Sequence, residues 1–411
     1  MRQVFGCAEL TNYCRKAKNM SDVLNDLYIV PDYDQASVRV TFTAPAGCTK
    51  ARWQVLDGRK VVAEGSLATQ ADKEAGFQAA MPNFKPWNVD SPHLYQVRLV
   101  LTVAGEECVV TENFGMRKIH VVGDQIYVNN EKFYVRGYIR GREAHDHPNM
   151  ENLPPEEWYE KNILAAKKYG FNFIRFHSRI PEKECFQAAD RLGIFIHAEI
   201  RRYYGKYQKE RTIMDAGEFI REEDWREAIL ATRNHPSLMV YCLGNEITHP
   251  GSDPRVLNLA NVTKELDPTR LFLDTCAHGE FDRTYVDIDV QHMSYFYPFG
   301  RNYDMYENTY NWFCFGSCTN LPLVVQDKED NPTYKLTRSI PSNRRPVLAH
   351  EVCHYAALRN LDALDAKFKK AGVAKPWWID EVRKLVKLKG LDKDYTKMMK
   401  ASEHFQFLSW K

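Results

Sequence analysis

The sequence lacks any run of about 18 apolar residues, which is the length that a membrane-spanning helix requires. Its first residues also lack the positively charged and then apolar order of an export signal. These absences argue against a membrane-embedded class of protein. We therefore expect a cytoplasmic protein that has no membrane partner.

The ten cysteines lack the paired spacing of a zinc site or of a disulfide framework. Cys314 and Cys318 lie close together in the sequence, but no second pair stands near them. Others, such as Cys242 and Cys276, stand in apolar segments, where a thiol is most simply a small core side chain. We therefore expect no metal and no cofactor, and we expect a reducing compartment.

The charge also lacks a strong bias toward one sign. Lys and Arg number 56, Asp and Glu number 54, and the net charge is +2. A balance this even removes nucleic acid as a default partner, because binding to phosphate backbones depends on concentrated positive charge. The chain has 411 residues, of which 44% are hydrophobic and 12% aromatic, so it can form two domains with ample cores.

Residues 25–118 show the short apolar and polar alternation of β-strands separated by turns, as in residues 37–42 and 95–101. Several such strands in about a hundred residues predict an immunoglobulin-like β-sandwich. Aromatic side chains dominate protein cores. We therefore expect Trp87 and Tyr95 to fill the core of this sandwich, although the turn at Trp87 could instead brace the next domain.

Residues 119–411 change to an alternation of strand and helix, which predicts a (β/α)8-type TIM barrel. Candidate strands cover residues 133–139, 171–177, 193–199, 238–245, 271–275, 286–293 and 346–350. No eighth strand is recognisable between Leu361 and Lys411, where the pattern indicates helices. We therefore expect a barrel that is incomplete at strand eight, preceded by the sandwich and by a remnant or linker over residues 1–24.

The most informative motif is Leu243-Gly244-Asn245-Glu246, which directly follows the apolar run 238–242. An apolar run without alternation is typical of a parallel strand that is covered on both faces. Barrel enzymes keep their chemistry at the carboxyl ends of such strands. The position of Asn245 and Glu246 therefore indicates catalysis, with the alternative that the pair merely opens a loop.

A second acid, Glu351, closes another apolar strand that begins after Pro346. The interval from residue 246 to residue 351 matches three strand-helix units of about 30 to 40 residues each. Glu246 and Glu351 would then end strands four and seven, which face each other across the mouth of a barrel. Two carboxylates about 5 to 5.5 Å apart are what a retaining glycosidase uses.

Five stretches together resemble glycoside hydrolase family 2, the β-galactosidase and β-glucuronidase family. They cover residues 114–137, 169–178, 190–199, 233–246 and 345–351. The most specific is Arg233-Asn234-His235-Pro236-Ser237 followed by Gly244-Asn245-Glu246. The resemblance spans residues from about 85 to 355 and implies a sandwich followed by a catalytic barrel.

The resemblance implies a retaining exo-β-glycosidase that acts on a carbohydrate substrate without a cofactor. It implies Glu246 as the acid and base, Glu351 as the nucleophile, and Asn245 as a ligand of the sugar 2-hydroxyl. Because the acid must start protonated and the nucleophile ionised, we expect Glu246 to have the higher pKa of the two.

Three further candidates end predicted strands. Arg175 and His177 end strand two, where they are expected to orient the nucleophile or to contact sugar hydroxyls. A buried Arg also needs a partner for structural reasons, so both roles can hold. Glu199 ends strand three and is expected to be a third acid at the mouth of the barrel.

Three candidates lie in loops. His145 belongs to a His-Asp-His sequence after strand one, for which we expect contact with substrate or a simple loop rather than a metal. The resemblance implies a Tyr against the nucleophile after strand six, and Tyr295 is chosen over Tyr297. Trp312 is a candidate stacking platform for a sugar ring, with loop core as the alternative.

The family also carries a jelly roll ahead of the sandwich, and residues 1–24 are too short to hold one. We therefore expect both ends of the chain to be shorter than in the family. A chain extended at its C-terminus by one strand-helix unit is expected to be more stable and more active. The alternative function is a carbohydrate-binding protein with impaired catalysis, or a fragment of such an enzyme.

Overall fold

The computed structural model describes residues 24, 26–140, 154–200, 220–245, 247, 250–276, 283–292, 323–325, 336–338, 345–351 and 357–409. The described residues fall into two compact units. The first runs to Gln291 and also takes in residues 345–348. The second holds His292, the short segments 323–325 and 336–338, and the described residues from Ala349 onward.

The first unit begins with two antiparallel sheets. One sheet has the order β1-β2-β5, formed by β1 (Tyr28–Asp32), β2 (Ser37–Thr43) and β5 (Glu74–Ala80). The other has the order β4-β3-β6-β7, formed by β4 (Lys60–Ala68), β3 (Cys48–Asp57), β6 (Tyr95–Val103) and β7 (Glu106–Phe114). In β6, Val97, Leu99 and Leu101 are buried while Arg98 is exposed, so the alternation in the sequence sets which face points inward.

The sandwich core confirms one aromatic prediction and corrects the other. Tyr95 packs in the cluster shared by the two sheets, and its hydroxyl accepts a hydrogen bond from the Lys85 backbone N–H at 2.8 Å. Trp87 is fully buried but lies in a different cluster, with its ring 5.2 Å from the Phe195 ring in an edge-on contact. Trp87 Nε1 donates to the Asp190 backbone carbonyl at 2.7 Å. The prediction that Trp87 fills the sandwich core is therefore wrong, because its segment leaves the sandwich between β5 and β6.

Gly115 allows the chain to pass close to this tryptophan. A Cβ atom at residue 115 would lie 2.6 Å from Trp87 Cβ and 2.9 Å from Pro236 Cβ. Any side chain would push these groups apart, so the glycine is required by the close packing of the Trp87 and Pro236 side chains against residue 115.

A small antiparallel sheet follows, formed by β8 (Ile119–Val122), β9 (Gln125–Val128) and β10 (Glu131–Lys132). Its buried residues Ile119, Ile126 and Val128 share a cluster with Phe173 and Phe195. These two phenylalanines stand at the start of barrel strands, so the small sheet packs against the amino-terminal end of the parallel sheet.

The parallel sheet has the order β11-β12-β13-β14-β15. Its strands are β11 (Gly137–Arg140), β12 (Phe173–Phe176), β13 (Phe195–Glu199), β14 (Leu238–Cys242) and β15 (Leu271–Leu273). The intervening helices are α1 (Pro155–Lys168), α2 (Lys183–Leu192), α3 (Glu222–Thr232) and α4 (Pro254–Leu266). Strands and helices alternate as the sequence predicted.

The two faces of these strands pack in separate clusters. Phe173, Phe195 and Val240 lie on the inner face of the sheet, in an apolar cluster that they share with the small sheet. Their sequence neighbours Ile196 and Tyr241 belong to the cluster that contains the helices. Since neither face meets water, the strands are continuous apolar runs.

Two of the later predicted strands form a separate two-stranded sheet, and the segment before it is hydrogen-bonded to β15. Asp287 donates its backbone N–H to the Phe272 carbonyl at 3.0 Å, and its carboxylate accepts the Phe272 N–H at 2.7 Å. β16 (Asp289–His292) then pairs with β19 (Val347–His350), and the Asp289 N–H donates to the Pro346 carbonyl. All seven predicted strands are therefore present, and each is shorter than predicted.

The second unit contains a short antiparallel pair and three helices. The pair is β17 (Leu323–Val325) with β18 (Leu336–Arg338), and the helices are α5 (Leu361–Ala371), α6 (Trp378–Leu388) and α7 (Tyr395–Ser409). The helices predicted after Leu361 are confirmed. Across the part of the chain that the structure describes, no helix has both the length and the apolar character needed to cross a bilayer.

Candidate active site

The carboxyl ends of β12, β13 and β14 bring polar side chains together on the inner face of the sheet. Arg175 is aligned with His197 across β12 and β13, and Glu199 is aligned with Cys242 across β13 and β14. Arg175, His197 and Glu199 alternate with residues of the helix-facing cluster, so they point inward like Phe173 and Phe195. A barrel of this type keeps its functional groups at this end.

Arg175 is the centre of the group. Its Nε donates to Glu199 Oε1 at 2.5 Å, and its Nη2 donates to Asn245 Oδ1 at 2.6 Å. The exposed fractions are 2% for Arg175, 0% for Glu199 and 5% for Asn245. A buried guanidinium requires partners of this kind, because an unpaired buried charge costs several kcal/mol.

Glu199 is held by donors on both carboxylate oxygens. Oε1 also accepts from Cys276 Sγ at 2.9 Å, and Oε2 accepts from the Ser178 backbone N–H at 2.7 Å. Ser178 has a φ of +57°, a left-handed conformation that non-glycine residues seldom adopt and that recurs at functional sites. Burial raises the pKa of Glu199, but Arg175 and the other donors outweigh it and hold the pKa below its usual value.

Glu199 is therefore an ionised and fully buried carboxylate. Its bonding pattern favours a supporting role behind Arg175 over direct contact with a ligand. Contact between Glu199 and a sugar stays a prediction.

His177 stands at the same strand end but is only half-buried. Its ring Nδ1 lies 2.9 Å from Ser178 Oγ, and its backbone N–H donates to the Arg140 carbonyl at 2.7 Å. The position suits a side chain that contacts a ligand at the edge of the site. That role also stays a prediction.

The amide of Asn245 has a defined orientation. Arg can only donate hydrogen bonds, so the atom of Asn245 that faces Arg175 must be the carbonyl oxygen. The amide NH2 is then the group that Asn245 can present to a hydroxyl. The backbone is fixed as well, since residue 245 forms a parallel bridge with Cys276 and the Cys276 N–H donates to the Gly244 carbonyl at 3.0 Å.

The segment after Asn245 is fixed on its far side by the Ile247 backbone N–H, which donates to Thr275 Oγ1 at 2.7 Å. Residues 245 and 247 are both tied to the segment that follows β15. Glu246 stands between them in the sequence and lies outside the described residues. His145, Tyr295 and Trp312 lie outside them too, so all four stay predictions.

Glu351 directly follows β19, as predicted, and is half-buried. Its φ of +20° lies at the edge of the region that non-glycine residues avoid. Backbone strain of this kind clusters at functional sites. The role of Glu351 as nucleophile stays a prediction.

Three side chains that surround Glu199 were not predicted to belong to the site. They are His197, Cys242 and Cys276. All three are buried on the inner face. Burial raises the pKa of both thiols, while burial and Arg175 together lower the pKa of His197 to about 3. At neutral pH all three are therefore uncharged. The alternation of His197 with Glu199 on one strand was a signal, but nothing in the sequence connects Cys276 to them.

Two family models cover most of the chain. Residues 119–408 match "Glycosyl hydrolases family 2, TIM barrel domain", and residues 23–117 match "Glycosyl hydrolases family 2". The two matches agree with the sandwich and the barrel that the sequence predicted.

Curated relatives include two β-galactosidases. The one from Photobacterium profundum is 24% identical over 269 residues, which cover 60% of this chain and 25% of the relative. The one from Aeromonas hydrophila is 26% identical over 273 residues, with the same shares of 60% and 25%. The chain thus spans about a quarter of the length of these relatives.

Solved structures of similar fold include a GH2 β-galacturonidase from Eisenbergiella tayi bound to galacturonate. It has a TM-score of 0.58 at 18% identity, covering 82% of this chain and 58% of the other. An FMN-binding β-glucuronidase from Faecalibacterium prausnitzii has a TM-score of 0.55 at 21% identity, with shares of 68% and 44%. At these identities the likeness is one of fold, and it confirms the predicted sandwich and barrel architecture.

Proposed function

This chain belongs to glycosyl hydrolase family 2, and from that premise we propose that it acts as a retaining exo-β-glycosidase. The observation that carries the proposal is the fixed amide of Asn245, which Arg175 orients at 2.6 Å from within the buried inner face. A side chain held in this way next to Glu246 suits recognition of a sugar at the bond to be cleaved. Preorganised donors of this kind are a main source of catalytic power.

The proposed reaction is a double displacement. Ionised Glu351 attacks the anomeric carbon while protonated Glu246 gives its proton to the leaving oxygen. The glycosyl ester formed with Glu351 is then hydrolysed by a water molecule that Glu246 deprotonates. Each step leaves Glu246 in the protonation state that the next step needs.

Asn245 is proposed to donate its amide NH2 to the sugar 2-hydroxyl, in a hydrogen bond that strengthens in the transition state. Glu199 is proposed to act through Arg175, as a positioning residue that keeps the guanidinium from rotating. The hydrogen bonds from Arg175 to Glu199 and to Asn245 then connect the amide to the rigid strand β13. No cofactor takes part in this reaction.

The proposed substrate class is a β-linked terminal sugar, with β-galactosides as the first candidates because the curated relatives described above are β-galactosidases. Structures of similar fold bear the names of a galacturonidase and a glucuronidase, so uronides are the next candidates. A panel of aryl β-glycosides separates these sugars. Binding without turnover across the whole panel would instead favour the carbohydrate-binding alternative.

A mechanism-based label tests the nucleophile. A fluorinated sugar inactivator that matches the best substrate should esterify Glu351, because fluorine slows both steps while a good leaving group restores only the first, so the ester accumulates. Peptide mapping by mass should place the label on Glu351, and Glu351→Gln should abolish it. Glu265→Gln is the matched control, because Glu265 is an exposed carboxylate on α4 outside the proposed site, and this variant should be labelled like the parent. A label on any other acid would reject the assignment.

Substrates with different leaving groups test the acid. Glu246→Ala should lose about 10²- to 10⁴-fold in kcat/KM on glycosides with poor leaving groups, and much less on activated aryl glycosides. Added azide should restore turnover and yield a glycosyl azide, since a small nucleophile needs no general base. Equal losses on both substrates without rescue would assign Glu246 a structural role.

A further inference from the structure

Four side chains on the inner face of the sheet form a compact group behind the Arg175–Asn245 contact. They are His197, Glu199, Cys242 and Cys276, and one ligand atom from each lies within 4.8 Å of the others. All four are buried. The geometry points to a binding site for one zinc-like divalent cation, which we call the inner cluster.

The backbone fixes the directions of these side chains. His197 and Glu199 are two residues apart on β13, so they point to the same face. Cys242 is the register partner of Glu199 on β14. Cys276 is bridged to Asn245 beyond the end of that strand. Three neighbouring segments of one sheet therefore deliver the ligand atoms, and no loop has to move to form the site.

The separations of the ligand atoms, at most 4.8 Å, approach the values of about 3.4 to 3.8 Å in a tetrahedral zinc site. Two thiolates bound to zinc at about 2.3 Å each lie about 3.8 Å apart, and the Cys242 and Cys276 sulfurs are 3.7 Å apart. His197 Nε2 lies 4.0 Å from Cys276 Sγ and 3.9 Å from Glu199 Oε1. The contact between Cys276 Sγ and Glu199 Oε1, at 2.9 Å, has to open by about half an ångström to match zinc ligands.

The chemistry of the ligands selects the ion. Two sulfurs, one imidazole nitrogen and one carboxylate oxygen suit zinc, whereas magnesium and calcium prefer all-oxygen sites. Four protein ligands complete a tetrahedron and leave no position for water, which is typical of a structural site rather than a catalytic one.

The charges balance when the ion is bound. Zinc would replace the thiol protons of Cys242 and Cys276, and the two protons would be released to solvent. The ion, two thiolates and the Glu199 carboxylate then sum to one negative charge, which the Arg175 guanidinium neutralises at 2.5 Å. A buried site needs such compensation. The Ser178 N–H on Glu199 Oε2 supplies the second hydrogen bond that commonly orients a ligand carboxylate.

This site is independent of the proposed reaction. A bound ion would hold Glu199, and through it Arg175 and Asn245, whether or not the chain hydrolyses a sugar. No motif in the sequence indicates this site, because the two cysteines are 34 residues apart and Cys276 is 79 residues from His197.

The test measures metal and not activity. The 411-residue chain is purified, unfolded with a chelator under reducing conditions, and refolded with zinc or with cobalt. We expect about one zinc per chain after gel filtration. The cobalt form should show the thiolate-to-cobalt charge-transfer bands and the intense visible bands of a tetrahedral sulfur site. Cys242→Ala and Cys276→Ala should each weaken zinc binding by at least about tenfold.

Cys185→Ala is the matched control, because Cys185 is an equally buried free thiol on α2, outside the inner cluster. It should bind zinc like the parent chain. Should the cysteine variants fail to fold, the cobalt spectrum of the parent decides alone. The proposal is overturned by a folded parent that takes up no zinc, by cobalt bands without sulfur character, or by a Cys242–Cys276 disulfide that forms instead. Undiminished zinc in the Cys242→Ala and Cys276→Ala chains would overturn it as well.

Discussion

Buried arginines stand at both ends of the parallel strands, and backbone carbonyls are main acceptors only at the amino-terminal end, where Arg270 also lies 3.7 Å from the Asp267 carboxylate. At the amino-terminal end, Arg117 Nε donates to the Pro236 backbone carbonyl at 2.6 Å. Arg270 Nη2 donates there to the carbonyls of Arg233 and His235, at 2.7 and 2.8 Å. At the carboxyl-terminal end, Arg175 donates to the side chains of Glu199 and Asn245.

This difference in acceptors corresponds to a difference in role. Arginines bound to backbone carbonyls contribute to stability, and the arginine bound to side chains contributes to the chemistry of the site. A backbone carbonyl neither titrates nor rotates, so a cation bound to it can only hold chain segments together. A carboxylate or a carboxamide can change its protonation or its partner when a ligand arrives. This agrees with the division of labour in barrels, whose carboxyl ends carry function and whose amino ends carry stability.

The sandwich also binds at the amino-terminal end. Tyr28 OH donates to Asp267 Oδ1 at 2.9 Å, and the Asn234 side chain bonds the backbones of Leu27 and Ile29. The Arg233 guanidinium lies 4.2 Å above the Tyr28 ring. The first domain is thus attached where rigid contacts are plentiful and leaves the carboxyl ends accessible to chemistry.

The largest effect is expected from Asn245→Ala at the carboxyl end. Loss of a preorganised donor should lower kcat/KM on an aryl glycoside by about 10²- to 10³-fold. The stability should fall by only about 1 to 3 kcal/mol, because Arg175 Nη2 loses one acceptor. Steady-state kinetics and urea unfolding measure the two effects. Asn258→Ala, an exposed position on α4, should change neither.

If the Asn245→Ala variant kept its activity but lost most of its stability, the proposed difference between the two ends of the parallel strands would be wrong. The amide would then serve as packing for Arg175, and the carboxyl end would be as structural as the amino end.

The next effect is expected from Arg270→Met at the amino-terminal end. Arg270 lies 3.7 Å from the buried carboxylate of Asp267, in addition to its two carbonyl acceptors. Its removal leaves a buried charge less compensated and should cost about 3 to 5 kcal/mol of unfolding free energy. The kcat of the folded fraction should remain that of the parent at a temperature where both are folded. Arg226→Met is the control, because its pairs with Glu222 and Glu265 lie on the surface and each contribute about 0 to 1 kcal/mol.

Local patterns in the sequence predicted most of the fold but not these contacts. Alternation in residues 95–101 and unbroken apolar runs such as residues 238–242 depend on neighbouring residues, so strands and their burial were readable. The ends of strands were readable as well, which placed Arg175, Glu199 and Asn245 at one edge of the sheet. Their mutual bonds depend on the register between strands, which the sequence alone does not fix.

The contacts of Trp87 and those of the inner cluster could not be predicted from the sequence for the same reason. Both depend on how distant segments pack against each other. A buried tryptophan was expected, but whether it faces Tyr95 or Phe195 is decided by how two domains meet. The sequence predicts Cys242 and Cys276 to be core residues, and both are buried. Their approach to His197 and Glu199 requires three strands to lie side by side, and no spacing in the sequence encodes that.

A smaller effect is expected from Trp87→Phe, which tests the corrected position of this side chain. The change removes the Nε1 hydrogen bond to the Asp190 carbonyl and leaves a small void, so it should cost about 1 to 3 kcal/mol. A double-mutant cycle of Trp87→Leu with Phe195→Leu should give a coupling of about 0.5 to 1.5 kcal/mol, because Leu at either position removes the contact between the two rings. The same cycle with Phe42→Leu, in the sandwich core, should be additive within about 0.5 kcal/mol. Coupling to Phe42, and not to Phe195, would show that Trp87 packs in the sandwich core.

The smallest effect is expected from Asp253, a residue at the carboxyl end whose role is structural. Asp253 caps α4, and its Oδ1 accepts the Arg255 backbone N–H at 2.8 Å. Burial raises the pKa of Asp253, but the bonds from the Arg255 side chain and backbone outweigh it and leave the pKa lowered. Asp253→Ala should therefore cost about 1 kcal/mol at neutral pH, with kcat unchanged.

The pH dependence of that cost distinguishes a cap from a simple packing residue. The folded chain holds the Asp253 carboxylate ionised to lower pH than the unfolded chain, whose carboxyl titrates near about 3.9. The stabilisation is thus complete above that value and is lost as the pH falls through the lowered folded pKa. Unfolding free energies of parent and Asp253→Ala should converge in acid and differ at pH 7. A difference that persists unchanged into acid would assign the effect to lost packing, and a fall in kcat at pH 7 would show that structural groups at the carboxyl end also support the chemistry.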